Sequence, residues 1–121
     1  MRVKKIKIGI KDLKTALEDF VKTGEAIERG EKVKKESGVY FTSFVAFRKV
    51  LTPKRLELLH TIKTRKPSSI HELARMAKRD VKNVADDVKY LEQIGLIEKK
   101  ETDHKTAPVT KYDRIALEIA V

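Results

Sequence analysis

Apolar positions change period several times along the chain, and each change marks an expected element. In VKKIKIGI (residues 3–10), Ile6, Ile8 and Ile10 stand two apart with lysines among them. That spacing predicts a half-buried strand. Asp12 follows as a candidate helix cap. Leu13, Ala16, Leu17, Phe20, Val21 and Ile27 then fall on one stripe of an amphipathic helix. Gly24 weakens that helix, and Gly30 is placed to end it. Residues 28–38, ERGEKVKKESG, are charged and without period, so they predict a linker or exposed turn. A strand and one helix are too small to bury both faces alone. The unit is expected to pack on the rest of the chain or on a second copy of itself.

The second part is denser in helix signals. Residues 39–42, VYFT, form a short β-prone run, and Ser43 is placed to cap a helix bearing Phe44, Phe47, Val50 and Leu51. Thr52-Pro53 starts another helix. The hydroxyl caps it, and Pro stands at the first helical position, where its missing N–H costs nothing. Leu56, Leu59 and Ile62 are expected on its inner face. Ser69 and Glu72 fit a capping box ahead of a short helix with Ile70, Leu73, Ala74 and Ala77. After Lys78-Arg79, Asp80 caps a further helix with Val81, Val84, Val88 and Leu91 inward, closed by Gly95. Residues 96–100 predict a strand, 102–108 a turn and 109–119 a returning strand, in which Ile115, Leu117 and Ile119 alternate with polar or small residues. The expected fold is α+β, mainly α. Residues 1–38 are read as a strand-helix dimerisation or partner element with its linker, and 39–121 as the main domain.

Composition narrows the chemistry. The 121 residues hold 28 Lys and Arg against 18 Asp and Glu, a formal charge of +10. Such an excess points to a polyanion partner, because clustered cations release counterions from phosphate backbones. A heavily charged, heat-adapted surface is the alternative. Cysteine is absent, which excludes disulfides, thiolate metal sites and a Cys nucleophile. His60, His71 and His104 lack metal-ligand spacing, so neither a metal nor a cofactor is expected. The Asp86-Asp87 pair diverges by about 100° on a helix and cannot serve one substrate. With no phosphate loop or catalytic triad, the chain is not expected to be an enzyme. No apolar run approaches the roughly 18 residues that span a bilayer, and the basic start lacks a signal-peptide core, so a cytoplasmic protein is expected.

The order of three helices on short turns followed by a β-hairpin is that of a winged helix-turn-helix. Residues 52–121 resemble MarR-type winged-helix transcription factors. The resemblance is carried by SSIHELARMAKRDVKNVADDVKYLEQIGLIEKKE, above all ELA and YLEQIGLIEK. The tail APVTKYDRIALEI is further similar to a family of small prokaryotic regulators with an N-terminal strand and helix, some associated with toxin–antitoxin gene pairs. The resemblance implies sequence-specific binding of double-stranded DNA, usually as a homodimer. It carries the reading positions onto Lys82, Asn83 and Asp86, with Lys89 one turn on. Relatives often have Ser, Thr or Arg at these places, and an Arg is common where this chain has Asp86.

A helical wheel reaches the same face independently. With Val81 at zero, the apolar stripe centres near 330° and Asp86 lies at about 140°, central on the opposite face. Asp87, at about 240°, is on the flank nearer the core, where it is expected to order Asn83 by an i, i+4 hydrogen bond. Asp86, between Lys82 and Lys89, has three readings: a tether for both lysines, an acceptor for a cytosine amino group, or a repeller of phosphate. Lys82 and Lys89 contact DNA or are merely solvated. Asn83 pairs with adenine or supports the first turn. Ser68 and Ser69 cap their helix or hold a phosphate at its N-terminus. Arg79 grips the backbone or covers the core with its stem. His104 and Lys105 stand at the wing tip and enter the minor groove or remain in solvent. Tyr90 stacks on sugar-phosphate or packs on a neighbouring element. Set against the regulator is a binding module of another class, an antitoxin whose N-terminal helix masks a toxin-like protein, or a winged helix used only for protein contacts.

Overall fold

Three isoleucines spaced two apart need one dry face, and the fold supplies it from the far end of the chain. The structure, a computed structural model, describes residues 4–30 and 38–119, without the side chains of Leu13, Thr15, Ala16, Asp19, Thr23 and Ile27. In order the elements are β1 (Lys5–Ile10), α1 (Leu13–Glu28), β2 (Gly38–Phe41), α2 (Phe44–Val50), α3 (Pro53–Arg65), α4 (Ile70–Ala77), α5 (Val81–Gln93), β3 (Glu98–Thr102), β4 (Lys105–Val109) and β5 (Arg114–Ile119). Of the linker expected over 28–38, residues 31–37 lie outside the described residues. Gly30, at φ 77°, follows α1 as a helix-ending glycine should.

β1 is the middle strand of a parallel three-stranded sheet, order β2-β1-β5. Ile6, Ile8 and Ile10 stand opposite Ile115, Leu117 and Ile119, and Ile8 and Ile10 opposite Val39 and Phe41. Directly opposed residues point to the same face, so all eight share it. Ile6 and Ile8 join one core with Leu51, Leu58, Leu59, Ile62, Leu73, Ala74, Val84, Val88, Leu91, Leu96 and Ile97. The N-terminal strand thus shares its core with the helices. On the other face the Tyr40 ring lies over Gly9, where a Cβ would come within 2.6 Å of ring carbons.

Several expectations change. The returning strand expected over 109–119 is two strands with different partners. β4 pairs antiparallel with β3, and the chain then turns so that β5 pairs parallel with β1. Asp113 makes that turn hold: its carboxylate accepts from the Lys4 N–H at 3.0 Å and from Lys63 Nζ at 2.9 Å, and its own N–H donates to the Lys4 carbonyl at 2.7 Å. The Lys63 and Lys4 hydrogen bonds hold the Asp113 carboxyl below its ordinary range. The turn expected over 102–108 shrinks to Asp103 and His104, both left-handed at φ 44° and 67°. Positive φ at both central residues is the geometry of a type I′ hairpin, whose twist suits the flanking strands. Leu96 and Ile97 are buried ahead of β3 rather than within it.

Helix α3 buries Leu58, Leu59 and Ile62, while Leu56 is exposed. On a wheel, Leu56 lies about 110° from the centre of the other three, so it falls off the stripe. In α2 Phe47 packs partly on the core, edge-on to Phe41 at 5.8 Å, and Phe44 stays exposed. On α1, Leu17, Phe20 and Val21 are 56%, 76% and 55% exposed. Among the described residues, nothing covers these three side chains. Among the described residues no helix is long and apolar enough to cross a membrane.

Candidate nucleic-acid interface

The turn between α4 and α5 is built from local hydrogen bonds. Lys78 closes α4 in the left-handed region at φ 55°, its N–H shared between the Ala74 and Arg75 carbonyls. The Asp80 carboxylate then accepts from the N–H groups of Lys82 and Asn83 at 2.9 and 3.3 Å and starts α5. Val84, Val88 and Leu91 anchor α5 in the core. Each such burial contributes about 1.5–3 kcal/mol, which fixes the helix rotation and so the face it offers to solvent.

Lys82, Asn83, Asp86 and Lys89 all lie on that offered face and are exposed. Their side chains make no hydrogen bond or ion pair among the described residues. The tether between Asp86 and the two lysines is therefore absent. The Asn83–Asp87 hydrogen bond is absent as well, because Asp87 is engaged elsewhere. Its carboxylate accepts from Arg55 Nε at 2.9 Å and from Arg79 Nη2 at 2.7 Å. Burial works against ionisation of Asp87, but the hydrogen bonds from Arg79 and Arg55 outweigh it and hold the carboxyl below its ordinary range.

Asp87 thereby joins three elements. Arg55 sits in the first turn of α3 and also donates Nη1 to the Lys49 and Val50 carbonyls at the end of α2, at 3.1 and 2.8 Å. Its guanidinium covers the Tyr90 ring at 4.4 Å. That is the neighbour-packing outcome for Tyr90. Arg79, from the α4–α5 turn, is half-buried and aimed at Asp87, with Nη1 buried and without a partner among the described residues. The clamp was not foreseen. Residues 55 and 87 are 32 apart in sequence, and no periodicity links them.

At the start of α4, Ser69 Oγ accepts from the Glu72 N–H at 3.1 Å. The reciprocal arm of the capping box reaches Ser68 instead of Ser69: Glu72 accepts from the Ser68 hydroxyl at 2.8 Å and the Ser68 N–H at 3.4 Å. These hydrogen bonds, with weaker attraction from Arg75 and Lys105, hold the Glu72 carboxyl below its ordinary range. A phosphate approaching this helix end meets a carboxylate already in place. His104 and Lys105 are exposed at the tip of the β3–β4 hairpin. On its strands Lys99 pairs with Glu92 at 3.3 Å, while Lys100 is exposed and has no partner among the described residues.

Helices α3, α4 and α5 followed by the β3–β4 hairpin make a winged helix-turn-helix, with α5 in the recognition position and the hairpin as its wing. Residues 50–117 match the HVO_A0114 family model, and the chain belongs to that family. No curated protein matches it. Among solved structures, the chain is similar to one described as the predicted DNA-binding transcriptional regulator from E. coli. The two share 17% identity and a TM-score of 0.49 over 77% of this chain and 84% of that one. It is also similar to ScpB from Mycobacterium tuberculosis, at 19% identity and a TM-score of 0.43 over 81% of this chain and 71% of that one.

Proposed function

We propose that this protein is a cytoplasmic, non-catalytic transcriptional regulator of the MarR-like kind that binds double-stranded DNA sequence-specifically as a homodimer. One observation carries the reading: the outward face of α5 presents Lys82, Asn83, Asp86 and Lys89 with no partner among the described residues, opposite a face fixed in the core. Lys82 and Lys89 contact phosphates and Asn83 reads a base edge. Asp86 repels phosphate at the centre of the face and so discourages loose binding. His104 and Lys105 carry the wing tip toward the neighbouring groove. Ser68 and Ser69 orient α4 through its cap, and Arg79 acts through Asp87 by holding α5 at its angle. The net charge of +10 supplies the long-range attraction.

The test is a titration on the duplex that the protein selects from a randomised pool, run at about 50 and 200 mM salt. Specific affinity falling with salt, and lost on replacing Lys82 and Asn83, supports the reading. Unchanged affinity in both variants removes α5 as the reader.

A second reading is favoured by the exposed Leu17, Phe20 and Val21 of α1. Residues 1–38 then serve as a partner element, an antitoxin-like cover for a toxin-like protein. Phe20→Asp separates the roles. If α1 contributes to the dimer, the variant dissociates. If dimer and duplex affinity both persist, α1 lies outside the dimer, and the antitoxin-like reading then requires that Phe20→Asp abolish binding of a toxin-like protein.

A further inference from the structure

We propose that the second copy docks edge to edge along β5, antiparallel to it and related by a two-fold axis at Ala116, joining two three-stranded sheets into one. The proposal rests on the homodimer reading above and names its interface.

The sheet leaves little choice of edge. β1 is paired on both sides, so it has no edge to offer. Among the described residues β2 has four, whereas β5 has six and contains neither proline nor glycine. Arg114 donates its N–H to the Lys4 carbonyl, so residue 114 turns its backbone groups toward β1. Strand alternation then turns those of Ile115, Leu117 and Ile119 outward, with no hydrogen bond on that side among the described residues.

The side chains continue the same theme. Ile115, Leu117 and Ile119 share the face of the buried β1 isoleucines, yet are 37%, 44% and 50% exposed. The apolar row of the core runs on to the sheet edge, where nothing among the described residues covers it fully. A second β5 brings an identical row to lie beside it.

Charge selects the register. A two-fold axis normal to the sheet keeps faces together, so it must pass through a residue. Centred on Ala116, the pairing sets Ile115 against the partner's Leu117 and Arg114 against the partner's Glu118, each twice by symmetry. Both side chains are exposed. The Arg114 guanidinium has no partner among the described residues, while the Glu118 carboxylate already meets Lys7 of β1 at 2.7 Å and would take the partner's Arg114 as a second cation. Centring on Ile115 sets Arg114 against the partner's Ala116, and centring on Leu117 sets Ala116 against the partner's Glu118. Neither of those registers matches opposite charges. The backbone parity agrees: Ile115 and Leu117 carry the outward groups and would form the hydrogen-bonded pairs. The two Ala116 residues would then form a non-hydrogen-bonded pair, with Cα atoms about 4.5 Å apart. A small residue suits that close approach.

The absence of cysteine makes the test clean. Ala116→Cys places two thiols within disulfide reach, which requires Cα atoms closer than about 7 Å. Glu118→Cys places them four residues out of step, about 13 Å apart along the strands. Mild oxidation of the full chain is expected to yield a covalent dimer from A116C and none from E118C. Sedimentation of the unmodified protein separates the failures. A dimer without an A116C crosslink, or with an E118C crosslink in its place, overturns this interface and leaves the homodimer reading standing. A monomer at every concentration removes both. Charge variants supply a second measurement. R114E alone and E118R alone each create two like-charge pairs and are expected to weaken the dimer about tenfold. Mixed in equal amounts they regain both opposite-charge pairs and are expected to dimerise like the wild type. A mixture as weak as its components refutes the register.

Discussion

Removing the Asp87 carboxylate tests whether α5 is held by a charge clamp. Asp87→Ala leaves Arg55 and Arg79 facing one another without their shared anion, and one Arg79 nitrogen is already buried and unpartnered. Deleting one member of a dry ion pair costs about 3–5 kcal/mol. The side chains here are 13%, 15% and 22% exposed for Arg55, Asp87 and Arg79. Water screens part of the interaction, so the expected loss is about 2–3 kcal/mol. For a domain of this size that lowers Tm by roughly 10 °C. Urea unfolding followed by circular dichroism measures it, with Asp86→Ala as the exposed neighbour, expected within about 0.5 kcal/mol of wild type. A D87A loss as small as that of D86A refutes the clamp. The pH dependence has a fixed sign. The folded carboxyl titrates below its ordinary 3.8, so its stabilisation is complete above that value and disappears as pH falls through the lower folded one. The stability gap between wild type and Asp87→Asn is therefore flat near neutrality and narrows only in acid.

Other outcomes follow from the exposed face of α5 and its anchor. Lys82→Ala should weaken binding to selected and unselected duplexes alike and reduce the salt slope by about one unit in a fluorescence-anisotropy titration. Asn83→Ala should cost about 1–3 kcal/mol on the selected duplex and relax preference at one base position, read by repeating the selection. Asp86→Ala should tighten binding to unselected duplex by about 1 kcal/mol while narrowing the specificity ratio. Weaker binding to the selected duplex alone would instead assign Asp86 to a cytosine. Leu91→Ala, at a fully buried position, should destabilise the fold by about 2–5 kcal/mol in chemical denaturation.

Local rules made much of the fold legible. Thr52-Pro53, Ser69 and Asp80 start their helices because capping is settled within three residues. Val84, Val88 and Leu91 bury because helical period alone puts them on one side, and the same geometry exposes Lys82, Asn83, Asp86 and Lys89. Period-two alternation identified Ile6–Ile10 and Ile115–Ile119 as strands, but alternation tells which way side chains point and not which strand lies alongside. Pairing β5 with β1 rather than with the wing is decided across more than a hundred residues, where Asp113 meets Lys4. Asp87 is the same lesson within one helix. The wheel placed it on the core-side flank and assigned it to Asn83, one turn away. Only tertiary contact reveals that Arg55 and Arg79 are the cations it neutralises. Element types, caps and the outward face of α5 are local, and the sequence determined them by itself. Strand partners and the clamp depend on groups brought close by the folded chain, so only the tertiary structure decided them.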